Sequence, residues 1–75
     1  MNKKKISQLT FQQIKVLKLC FKGLSNKEIA EALFISVLTV KRHKQDISKT
    51  FSIKGKQAFR LFINELSNED FPENS

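Results

Sequence analysis

The sequence predicts an all-α domain of four helices. Three observations lead there. Apolar residues recur at spacings of three and four in four separate stretches, each bounded by capping signals. The alternating patterns and tight turn pairs that announce strands and hairpins are missing. Gly23, Gly55 and Pro72 are the only strong breakers, so no Gly- or Pro-rich linker divides the 75 residues.

The first helix is expected over about 11–22. Thr10 and Gln13, three residues apart, form a capping box. Ile14, Leu17 and Phe21 mark the inward stripe, and Val16 and Cys20 widen it. Lys15, Lys18 and Lys22 face water. Gly23 is placed to end the helix in a left-handed conformation. The second helix, about 26–33, opens on another capping box, Ser25 with Glu28, and turns Ile29, Ala30 and Leu33 inward. The third runs over about 37–51 behind a Ser36 cap. The fourth covers about 56–66. Residues 1–8 read as a flexible basic arm, 9–66 as the folded domain and 67–75 as an acidic flexible tail.

The second and third helices, with their short connection, have the dimensions of a helix-turn-helix. An α-helix advances about 100° per residue. On that wheel Val40, Ile47 and Phe51 fall together as a buried stripe. Leu38, Lys41, Arg42, Gln45 and Lys49 fall on the opposite side. This outer face carries three cations, one amide and one Leu, and no acid. Arg and Gln have the forked donors and acceptors that match guanine and adenine edges, and Leu can touch thymine methyls. An ordinary solvated face mixes signs and seldom sets an apolar residue among its cations. Lys44 projects near the buried side and has to snorkel.

Charge distribution points to the same partner. All 14 Lys and Arg lie at or before Arg60, whereas Glu28, Glu31 and Asp46 are the only acids before residue 64. The other acids, Glu65, Glu69, Asp70 and Glu73, gather near the C-terminus. A polyanion is the physical implication, because neutralising phosphates releases condensed counterions. Double-stranded DNA is the expected partner, with the helix at about 36–51 in the major groove.

Other classes fit less well. One Cys and one His exclude an internal disulfide and a zinc site, so no metal or cofactor is expected. There is no acid pair in a plausible cleft, no nucleophile–base pairing and no phosphate-cradling Gly loop, so the chain does not read as an enzyme. No apolar run approaches the roughly 20 residues that span a bilayer. A signal peptide would set an unbroken apolar stretch after the basic start, but Gln8, Thr10, Gln12 and Gln13 interrupt it here. No membrane is expected as a partner, and the expected location is cytoplasmic. RNA binding would usually bring exposed aromatics for base stacking. The alternative kept is a small helical interaction module whose basic face binds an acidic protein.

The chain also resembles a known family. Leu24-Ser25-Asn26-Lys27-Glu28-Ile29-Ala30, Leu33-Phe34-Ile35-Ser36 and Thr39-Val40-Lys41-Arg42-His43 resemble the signature of the LuxR-type (GerE-like) helix-turn-helix domain. Leu9-Thr10, Val16-Leu17 and Gly23 match its opening helix and first turn. The likeness covers about residues 9–66. It implies a bacterial transcription regulator, often the output domain of a two-component response regulator and sometimes free-standing. An excised output domain would have a receiver domain as a further partner.

Carried over position by position, Lys41, Arg42 and Gln45 match the family's base-contacting sites, and Leu38 joins them on the same face. Asn26, Lys27, Ser36 and Thr39 sit at or near helix N-termini, where amide donors and the helix dipole favour phosphate. His43, Lys49, Lys54 and Lys56 complete the expected phosphate contacts. Three departures stand out. Gln13 replaces the usual acid, Leu38 a common polar or basic residue, and Ser52 the usual Gly after the third helix. A positive φ at Ser52 would cost stability relative to Gly.

The fourth helix holds Ala58, Phe59, Leu61, Phe62, Ile63 and Leu66, more apolar residues than one buried stripe needs. Phe59, Phe62, Ile63 and Leu66 share one face; Ala58 and Leu61 share another. The resemblance implies a homodimer contact here, on a pseudo-palindromic site. The first of these faces is the expected interface. One short helix makes only a weak dimer.

Overall fold

The computed structural model describes residues 6–72. Helix α1 spans Phe11–Phe21, α2 Asn26–Leu33, α3 Val37–Thr50 and α4 Lys56–Asn64. Short 3-10 turns at Ile6–Gln8 and Asn68–Asp70 flank them. The described residues contain no strand.

The helices begin where local chemistry satisfies their first amides. Thr10 Oγ1 accepts from the Gln13 N–H (3.1 Å), and Gln13 Oε1 accepts from the Thr10 N–H (3.1 Å). Ser25 and Glu28 repeat the exchange at 3.2 and 2.8 Å. Ser36 Oγ accepts from the Thr39 N–H at 3.0 Å. Each such cap is worth about 1 kcal/mol. Helix α4 starts at Gly55 without a side-chain cap.

Three helices end in one backbone motif. A residue of positive φ follows each: Gly23 (95°), Phe34 (58°) and Ser52 (56°). The next amide then reaches back to the carbonyl five residues before it: Leu24 to Leu19 (3.1 Å), Ile35 to Ala30 (3.0 Å) and Ile53 to Ser48 (2.8 Å). Ser52 therefore does occupy the left-handed region, where Gly would be easier.

Helix α3 lies against α1 and α2, and α4 against α1. Leu17, Ile29, Val40, Ile47, Val16 and Ile6 are fully buried. Each such side chain contributes about 1.5–3 kcal/mol. Two core residues come from segments read in the sequence as mobile. Ile6 belongs to the 3-10 turn before α1, so residues 6–8 are part of the fold and not of a flexible arm. Phe71 is buried, its ring 5.3 Å from that of Phe21, and Lys18 Nζ lies 5.6 Å from its centroid. The Ser67 N–H donates to the Asp70 carboxylate at 2.8 Å, closing the turn that delivers Phe71. The acidic tail is thus folded back as far as Phe71. Residues 1–5 of the arm and 73–75 of the tail lie outside the described residues.

Helix α4 is shorter than its apolar spacing suggested. Glu65 caps it, and Leu66 turns into the core. Leu66 is therefore a core residue and not part of a free interface. Phe59, Phe62 and Ile63 are half-buried against the core, with Phe62 5.0 Å from the Phe51 ring. Leu61, from the other face, is 61% exposed.

Candidate nucleic-acid interface

Burial of Val40 and Ile47 sets the phase of α3. With that side against α1 and α2, Leu38, Lys41, Arg42, Gln45 and Lys49 are all exposed, as the helical wheel requires. The face is a continuous strip of about three turns, beginning with Leu38 and ending with Lys49. Ser36 is exposed at its N-terminal end, and its Oγ lies 2.9 Å from Thr39 Oγ1. Both hydroxyls are thereby engaged with the helix start. Lys27 is exposed at the start of α2.

Between the second half of α3 and the start of α4 lies an open groove of about 720 Å³. Lys41, Lys44, Lys49 and Lys56 line it with Gln45 and Ser48; Ile53 and Phe59 supply its apolar lining. No carboxylate lines it. Gly55 also borders the groove, so the uncapped first turn of α4 opens there. Unsatisfied amides and the positive end of a helix dipole favour an anion. Lys54 is exposed in the connection leading to α4. Of the predicted phosphate contacts, Lys49 and Lys56 thus meet at this groove, and Lys54 directly precedes Gly55 on its border.

One predicted phosphate contact has another engagement, and a second is partly withdrawn from solvent. Asn26 Oδ1 accepts a hydrogen bond from Lys44 Nζ. The same ammonium lies 5.9 Å from the Phe59 ring centroid. Lys44 does snorkel, and in doing so it ties α3 to the first residue of α2 and to α4. Asn26 keeps its backbone amide at the helix start, but its side chain has a structural task. His43 is half-buried, and its Nδ1 is buried with no hydrogen-bond partner among the described residues. Sequence reasoning placed Lys44 near the buried side but did not find its Asn26 partner, because the 18-residue separation closes only in the fold.

The chain matches the family described as bacterial regulatory proteins, luxR family, over residues 7–63. It belongs to that family. The luxR-family assignment makes this a DNA-binding helix-turn-helix domain of a regulator, not an enzyme. The chain is 46% identical over 48 residues to the oxygen regulatory protein NreC of Staphylococcus carnosus (strain TM300). The NreC proteins of Staphylococcus aureus strains JH9 and USA300 match with the same identity and length. Each match covers 64% of this chain and 22% of the relative, so this luxR-family domain spans about a fifth of their length. No solved structure matches. Among the described residues, no helix is long and apolar enough to cross a membrane.

Proposed function

We propose that this domain binds double-stranded DNA sequence-specifically, with α3 in the major groove. The observation that carries the reading is the exposed, acid-free face of α3 opposite its buried stripe. Lys41, Arg42 and Gln45 read base edges from the middle of that face. Lys27, Ser36, Thr39, His43, Lys49, Lys54 and Lys56, with the backbone amide of Asn26, hold the phosphates on either side. The groove between α3 and α4 follows the sugar–phosphate backbone beside the major groove. The alternative, an acidic protein on the same basic face, lacks any feature that prefers it over a phosphate backbone.

The domain works as the cytoplasmic output part of a transcription regulator. Its relatives are several times longer, which leaves room for a receiver domain of the two-component type. Two copies meet through α4 on a pseudo-palindromic site. Leu61 is the most exposed apolar side chain there, and Phe62, about 100° from it round the helix, borders the same surface. So small a contact gives a dimer that forms on DNA and is mostly monomeric without it.

Selection of bound duplexes from a random pool tests the reading directly. Arg42→Ala is expected to cost about 1–3 kcal/mol on the selected site and to flatten discrimination at one base pair. Lys54→Ala is expected to weaken every duplex alike and to reduce the salt slope by about one. An Arg42→Ala loss that is equal for every sequence would remove its base-reading role. Binding of acidic peptides in preference to any duplex would replace DNA with the alternative partner. Sedimentation with a palindromic duplex is expected to give two protomers per duplex, and Leu61→Asp to give one.

A further inference from the structure

The stretch leading into α3 differs in chemistry from the basic face that follows it. Residues 32–40 carry no charge at all, in a chain that is 28% charged. Yet three large apolar side chains of this stretch stand in solvent: Phe34 is 94% exposed, Leu38 73% and Val37 36%. Phe34 is also held at a φ of 58°, a conformation that penalises any residue with a Cβ and most of all a bulky one. Backbone and solvation both count against Phe34 in the free domain. Strain retained in this way marks a surface with a task.

The architecture of the turn does not supply that task. Ser36 caps α3, and Ile35 of the same stretch is the residue that packs against the core. Leu38 lies three, four and seven residues before Lys41, Arg42 and Gln45, so it shares their face and meets what they meet. In the major groove the apolar group on offer is the C5 methyl of thymine.

We propose that Leu38 and Phe34 form a thymine-methyl reader at the entrance of the recognition helix. Each half-site carries a thymine under the first turn of α3. Leu38 packs on its methyl group, and Phe34 closes the contact from the turn side and excludes water. Lys41 and Arg42, one turn further along, hold the same stretch of groove by charge. The inference rests on the DNA-binding reading and assigns a base preference to its least polar part.

The test starts from a duplex selected by the chain itself. Each thymine is replaced singly by deoxyuridine, which removes the methyl and leaves every hydrogen-bonding group in place. One or two thymines per half-site are expected to lose about threefold to fivefold in affinity on this change. That sensitivity is expected to vanish in Leu38→Ala and to shrink in Phe34→Asn. Asn accepts the left-handed conformation, so the second variant keeps the turn. Thermal unfolding at or above the parent's midpoint verifies both folds. A duplex still bound selectively but indifferent to uracil at every position overturns the methyl reader and leaves the DNA reading standing. Uracil sensitivity undiminished in both variants also overturns it. A pool that yields no preferred sequence overturns the DNA reading beneath it.

Discussion

The turn after α1 and the turn after α2 are closed by the same pair of backbone hydrogen bonds. In the first, the Gly23 N–H reaches Cys20 (2.9 Å) and the Leu24 N–H reaches Leu19 (3.1 Å). In the second, the Phe34 N–H reaches Glu31 (3.4 Å) and the Ile35 N–H reaches Ala30 (3.0 Å). The residue at the left-handed position is the difference between them. Gly23 holds φ at 95° with no side chain to strain, whereas Phe34 holds φ at 58° with its ring in solvent. The first connection joins two helices of the scaffold. The second leads into α3. The turn between α1 and α2 carries the residue the backbone prefers. The turn that leads into the exposed face of α3 carries one the backbone resists.

The largest effect expected from this comparison is at Gly23. Gly23→Val forces a β-branched residue into the left-handed region, and a Cβ there would meet nothing within 4 Å, so the cost is set by backbone strain and not by a Cβ clash. Stability is expected to fall by about 1–2 kcal/mol. That corresponds to a midpoint lower by roughly 4–8 °C per kcal/mol, read by thermal unfolding. An unchanged midpoint would break the comparison.

Next comes Phe34→Gly, with the opposite sign. Release of the left-handed penalty outweighs the extra entropy of Gly in the unfolded chain. The expected gain is about 0.5–1 kcal/mol in stability, accompanied by weaker binding to the selected duplex. A variant more stable and equally tight on DNA would make Phe34 a mere accident of the turn. Ser52→Gly is the smallest and serves as the control. Its residue is small and polar, so the strain released is less than at Phe34. The gain is expected at or below about 0.5 kcal/mol, with base preference unaltered in the same pool selection.

The exposed face of α3 was legible because the helix is long enough for its period to be counted. Val40 and Ile47 fixed one side, and rotation about the axis then exposed Leu38, Lys41, Arg42, Gln45 and Lys49. Both capping boxes stand where Thr10–Gln13 and Ser25–Glu28 put them. The parts that escaped share a physical reason. Ile6 and Phe71 lie in segments too short to show any period, so nothing local told a core side chain from a loose one. Leu66 continued the spacing of α4, but the helix stops at Asn64 and the chain changes direction before reaching it. Lys44 and Asn26 meet only through the tertiary fold. The left-handed Phe34 escaped because residue type alone does not reveal a positive φ.

The two anchors at the ends of the chain bear on how this domain could be moved between proteins. The family match ends at residue 63, yet Leu66 and Phe71 still lie in the core, and Ile6 precedes the match at the other end. A graft cut at the family limits would leave the Phe21 ring without its neighbour and open the base of α1. The transplantable unit therefore runs from Ile6 to Phe71. A linker to any new sensor has to attach before the first of these and spare the second.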